Sequence, residues 1–148
     1  LTKIKGNGKV IESSKTIGAL GFPTFDGLIV NAKWAAQNEA FMVALVKVLA
    51  KADADYRANK AKWTVDSAQV KAVAKWTKAD AKDVPATMAL YTFPTMEEQA
   101  GPKWLGGAAA KAMTSTAVFL KEQGRIQEMK PDYSAFITDA YIKKAMAK

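Results

Sequence analysis

Phe22-Pro-Thr-Phe-Asp-Gly-Leu-Ile-Val30 is the stretch on which the fold of this chain turns. Pro23 fixes φ and biases Phe22 toward an extended backbone. Gly27 lets the chain bend, or lets another group approach it closely. Leu28, Ile29 and Val30 are apolar without alternation, the pattern of a strand covered on both faces. A turn running into a buried strand is therefore expected at 22–30. Asp26 stands at the mouth of that strand, beside Thr24 and Phe25. A carboxylate, a hydroxyl and an aromatic ring at the edge of a buried element are the parts of a small-molecule contact.

Upstream, residues 1–8 read as the tail of a basic helix stopped by Gly6-Asn7-Gly8. A short strand is expected at 9–13, around Val10 and Ile11, and a Ser-, Gly- and Thr-rich loop at 14–21. Downstream, the chain turns helical. A short helix is expected at 32–37 with Asn31 as its cap. A long amphipathic one follows from 38 to about 59. Phe41, Leu45, Val48, Leu49, Ala52 and Tyr56 carry its inner face. Asp66 and Gln69 have capping-box spacing for a helix at 66–77, where Val70, Val73 and Ala74 share a face. Another is expected at about 82–90, with Pro85 in its first turn. Thr95 and Glu98 open a helix that Gly101-Pro102 interrupts. The next runs from about 103 to 123, weakened at its start by Gly106-Gly107, with Met113, Thr116, Ala117 and Leu120 inside and Gly124 closing it. Asp132 is expected to cap a final helix carrying Phe136, Ala140 and Ile142 or Lys143.

The totals bound the function. The 148 residues are enough for one domain with a core, although much of the 49% hydrophobic content is alanine, which buries little area. Lys and Arg number 22 against 14 Asp and Glu, a net charge of +8 that permits an anionic ligand or nucleic acid and decides neither. The lysines are spread over every helix, as on a solvated basic surface. The chain has no Cys and no His, which removes thiol nucleophiles, Ser-His triads, the usual zinc sites and imidazole acid–base chemistry. No run of about 18 apolar residues appears, so no transmembrane helix is expected. The first residue is Leu1, and the chain holds no charged n-region followed by an apolar run, so its start reads as cut or processed. Two or three strands among five or six helices read as part of a larger α/β protein whose remaining strands lie elsewhere.

Five segments together are more specific than any one alone. They are Gly8-Lys-Val-Ile-Glu-Ser-Ser14, the 22–30 stretch, Tyr91-Thr-Phe-Pro-Thr-Met-Glu-Glu-Gln99, Phe119-Leu-Lys-Glu-Gln-Gly124 and Asp132-Tyr-Ser134. In this order the chain resembles the carboxy-terminal half of taurine-binding proteins, the periplasmic substrate-binding components of ABC transporters for taurine and related sulfonates. The resemblance covers essentially the whole chain. It implies a partial two-lobed, type II periplasmic-binding-protein-like α/β fold, here helix-rich with few strands. Residues 1–20 would end the second lobe, and 21–148 would form the carboxy-terminal part of the first, with a hinge crossing near 21–26. The ligand would sit in the cleft between lobes, and a membrane permease would be the partner. The export signal to the periplasm would lie in an amino-terminal part outside this chain.

Taurine carries a sulfonate and an ammonium, and a dry cleft must pair both, because an unpaired buried charge costs several kcal/mol. By resemblance Asp26 is the ammonium partner, and Thr24 and Phe25 line the cleft. On the residues alone, Asp26 before Gly27 reads as a turn residue, Thr24 as a turn hydroxyl and Phe25 as core. The sulfonate donors would lie outside this chain, since Arg57 and Arg125 both read as solvent-facing helix ends. The resemblance implies no enzyme activity, cofactor, metal or nucleic acid. Glu97 and Glu98 belong to a helix start rather than to acid–base chemistry. Trp34, Trp63, Trp76 and Trp104 are too dispersed for a stacking platform. Two other readings stand beside this one. A two-lobed thiamine-precursor enzyme would rely on His, which is absent here. A basic nucleic-acid-binding module would show a recognition helix, which is also absent.

Overall fold

A computed structural model describes residues 7–147. Among them are eight α-helices, two 3-10 turns and no strand. The basic helix expected at 1–8 lies almost wholly outside the described residues. The chain divides into two compact units, one built on Leu49–Thr95 and the other on Val10–Val48 with the residues from Met96 onward.

In the second of these units, the strands expected at 9–13 and 28–30 do not form. Strand backbone is stable only when a neighbour takes its N–H and C=O groups. No partner strand exists among the described residues, and Ile29 is 95% exposed. Val10, Ile11, Leu20, Phe22 and Leu28 are exposed as well. The described residues are helix-rich, as expected of this part of the chain, and hold no strand among them.

The loop expected at 14–21 is also corrected, because Ser14–Ala19 is a helix, α1. Ser13 Oγ accepts from the Thr16 N–H at 3.2 Å, and Thr16 Oγ1 accepts from the Ser13 N–H at 3.0 Å. This reciprocal cap satisfies two donors that a helix start otherwise leaves orphaned, so a Ser- and Thr-rich segment winds. Helix α2 (Ala32–Gln37) is as expected, with Asn31 Oδ1 accepting from the Trp34 N–H at 3.0 Å. Its Ala35 is buried, and Trp34 meets Phe41 edge-on with 5.6 Å between ring centres.

Helix α3 (Glu39–Asn59) contributes residues through Val48 to this unit and those from Leu49 to the other. Its buried positions are Met42 and Tyr56, with Leu45 half-buried, whereas Phe41, Val48 and Leu49 are exposed. Periodicity locates a stripe but does not centre it. The true stripe includes Met42, which the expected face omitted.

A tight series of turns at 101–107 replaces the expected start of the next long helix. The Leu105 and Gly106 N–H groups donate backwards to Gln99 O and Gly101 O, both at 3.0 Å. A Cβ at Gly106 would stand 2.8 Å from the carbonyl oxygens of Ala100 and Gly101. Helix α7 therefore begins at Ala108 and runs to Glu122, burying Ala109, Ala112 and Ala117. Gly124, at φ 66, closes it. Its N–H bonds Lys121 O at 2.9 Å and the Arg125 N–H bonds Leu120 O at 2.8 Å, which is the Schellman arrangement.

The final helix is split. Asp132 Oδ1 accepts from the Ser134 N–H at 2.8 Å, a local turn that competes with helix, and only a 3-10 turn follows at Ser134–Phe136. Helix α8 spans Ala140–Met146, with Asp139 at its cap position. It packs on α6 (Met96–Ala100) and buries Ile142 and Ala145. An ion pair joins Lys144 to Glu39.

In the unit built on Leu49–Thr95, α4 (Ala68–Thr77) packs against α5 (Val84–Met88). Ser67, not Asp66, caps α4, its Oγ accepting from the Val70 N–H at 3.3 Å. Val70 is fully buried, with Val73 and Ala74 partly so, as their spacing predicts. Tyr56 is buried between Trp63 and Phe93, at ring separations of 4.8 and 4.7 Å. Arg57 is not a free helix end: its guanidinium donates to Phe93 O at 2.9 Å and Pro94 O at 3.3 Å. Trp76 is 78% exposed, with Lys75 Nζ 5.6 Å from its ring centre.

Candidate ligand-binding site

The spacing of residues along α7 creates one wall of a groove. Met113, Thr116, Ala117 and Leu120 recur at helical intervals and so share a face. Opposite them runs the irregular segment Pro23, Thr24 and Phe25, and Ile126 and Tyr133 complete the lining. All nine residues belong to the unit built on Val10–Val48 and the residues from Met96. The groove has a volume of about 460 Å³, within the range of small-molecule sites.

Local chemistry fixes each wall. Pro23 fixes its own φ and biases Phe22 away from helix, without a donor of its own to satisfy. The Schellman closure at Gly124 reverses the chain and brings Ile126 back beside Leu120. Tyr133 is placed by the Asp132 turn, and its hydroxyl accepts from the Lys130 N–H at 3.3 Å. Hydrogen bonds from the Ser134 hydroxyl and N–H hold the Asp132 carboxyl below its ordinary value of 3.8.

The lining is mostly apolar, with the hydroxyls of Thr24, Thr116 and Tyr133 as its polar side-chain groups. None of the lining residues is charged. Such a surface receives an apolar body by excluding water and orients it through a few hydroxyls. Among the described residues no cluster of three or more carboxylates is present to hold a metal ion.

Two of the three site residues expected from sequence, Thr24 and Phe25, line the groove. Asp26, the next residue, is exposed and lies outside the lining. Phe25 is 43% exposed, so its ring is shared between groove and solvent rather than sunk in a core. The α7 residues were legible as an inner face but not as a groove wall. Ile126 and Tyr133 carried no periodic signal, because they sit in irregular backbone after a helix stop.

The groove therefore lies between two of the segments that resemble taurine-binding proteins, 22–30 and 119–124, and a third, 132–134, adds Tyr133. The chain is similar to the taurine-binding periplasmic protein of Escherichia coli (strain K12). The two are 29% identical over 140 residues, which is 95% of this chain and 43% of that protein. The family resemblance carried by the five segments is thus borne out by a relative aligned along nearly the whole chain. The chain spans less than half the length of this relative. No protein-family model matches the chain, and no solved structure matches it. Among the described residues no helix is long and apolar enough to cross a membrane.

Proposed function

We propose that this chain is part of a periplasmic solute-binding protein of an ABC importer, which captures taurine or a related small sulfonate and delivers it to a membrane permease. The observation that carries this reading is the similarity to a taurine-binding periplasmic protein over 140 residues. The role is binding, not catalysis, and that relative is likewise a binding protein. On this reading the complete protein is a two-lobed α/β clamp that closes on its ligand. Residues 1–20 end the second lobe, 21–148 belong to the first, and the chain crosses between lobes near 21–26.

Asp26, Thr24 and Phe25 are the proposed ligand contacts. Thr24 and Phe25 are supported by their place on the groove, and Asp26 by its adjacency to them and by the family resemblance. The groove's apolar lining favours a second ligand within the same class, a sulfonate with an uncharged alkyl tail, which needs no carboxylate.

Calorimetric titration of taurine and of an alkyl sulfonate into the complete protein separates the two. Tight binding of taurine, weakened by about 2–5 kcal/mol in Asp26→Asn, is the outcome expected if Asp26 pairs the ammonium in the closed cleft. Unchanged taurine affinity in that variant removes Asp26 from the site. Preference for the alkyl sulfonate assigns the second ligand, and failure of both to bind ends the sulfonate reading.

A further inference from the structure

Asp26 is followed by glycine, and the backbone there is neither helix nor strand. Asp26 and Gly27 are both exposed. Among the described residues, neither the Asp26 carboxyl nor the Gly27 N–H has a hydrogen-bond partner. Gly27 is not held at positive φ, and a Cβ placed on it would meet only the Phe25 ring edge, at 3.9 Å. The approach to this peptide bond is thus open, and no backbone bond fixes its torsions.

We infer that Asp26–Gly27 is a site of spontaneous covalent modification, isomerising through a cyclic imide to isoaspartate. The Gly27 amide nitrogen attacks Cγ of the protonated Asp26 carboxyl. An N–Cγ bond forms, and the carboxyl hydroxyl leaves with the amide hydrogen as water, closing a five-membered succinimide. Water then adds to one of the two imide carbonyls. Addition at the side-chain carbonyl restores aspartate. Addition at the main-chain carbonyl breaks its bond to nitrogen, so the chain now runs through Cβ and Cγ. The water lost is regained, no redox step occurs and the mass is unchanged.

The geometry selects this residue. Glycine has no side chain to crowd the attacking nitrogen or to restrict the torsions that bring it to Cγ. Every other Asp in the chain precedes a residue with a Cβ. Asp53 and Asp55 are further constrained within α3, whose amides are committed to the helix. The product carries an extra methylene in the main chain and moves the carboxylate off its side-chain stem. The change falls one residue from Phe25 on the groove, and under the proposed function it would alter the ammonium contact. That last consequence rests on the proposed function; the modification itself does not.

The test uses an internal standard. Asn7–Gly8 is exposed, and closure there releases ammonia and raises the mass by about one unit on hydrolysis. The protein is incubated in warm, mildly acidic buffer, digested, and its peptides are separated and sequenced by mass spectrometry. The expected result is a second species of the Asp26 peptide, equal in mass and different in retention, that accumulates with time. In Gly27→Ala its rate should fall several-fold, and in Asp26→Ala it should be absent. Failure of that species to appear, while Asn7–Gly8 reacts in the same sample, overturns the inference. So does an unchanged rate in Gly27→Ala. Neither readout depends on taurine binding, so the proposed function and this inference fail separately.

Discussion

Asp53 shows how one side chain records its surroundings. It is partly buried on α3, and burial raises its carboxyl above the ordinary 3.8, with the Arg57 charge pulling the other way. A raised value in the folded state means that the fold favours the protonated form. Below 3.8 the group is protonated in both states and contributes nothing. As pH rises through the folded value, ionisation in a desolvated place opposes folding. Asp53→Asn should therefore raise the thermal midpoint at neutral pH, and the gain should shrink as the pH falls toward 3.8. A gain independent of pH would assign the effect to packing instead. Arg57 is the companion case. Its carbonyl acceptors at Phe93 and Pro94 lie 36 and 37 residues away, so no local pattern marked it as anything but a solvated helix end. Val70 was legible because its partners Val73 and Ala74 are near in sequence and recur at helical spacing.

At the scale of elements, the short-range rules held where the competing structure was also short-range. Asn31 caps α2, Pro85 sits in the first turn of α5, and Gly124 closes α7, each through bonds within a few residues. The same rules missed α1, because a reciprocal Ser13–Thr16 cap can wind a sequence whose composition reads as loop. The 28–30 strand failed for the opposite reason. An apolar triplet records a preference for burial between neighbours, and a strand cannot be built without the second strand that receives its bonds. The groove was half legible, its α7 wall by periodicity and its Thr24–Phe25 wall by motif, while Ile126 and Tyr133 depend on how the chain reverses after Gly124. Two glycines offer a graded test of turn geometry. Gly106→Ala drives a methyl to 2.8 Å from two backbone carbonyls and should cost about 1–3 kcal/mol, as overpacking does. Gly124→Ala meets no atom within 4 Å and carries only the left-handed backbone penalty, about 1 kcal/mol. Urea melts of both variants that reversed this order would show that the 101–107 turns yield more readily than the helix stop.

For the molecule as a whole, the exposed apolar side chains between Val10 and Ile29 matter most. Val10, Ile11, Leu20, Phe22, Leu28 and Ile29 all present large apolar surface to water. A net charge of +8 opposes the approach of two such molecules. The range of that repulsion is the Debye length, about 10 Å at 0.1 M salt and about 3 Å at 1 M. Colloidal behaviour should therefore be set by ionic strength. The second virial coefficient measured by light scattering should fall from positive to negative as sodium chloride is added. Ile29→Lys, at a position 95% exposed, should shift that crossover to higher salt without lowering the melting temperature. A coefficient insensitive to salt would mean that these side chains do not govern attraction between molecules. Because the same residues would be hidden once a strand partner covered them, dilute low-salt buffer is the condition under which this chain should remain monodisperse on its own.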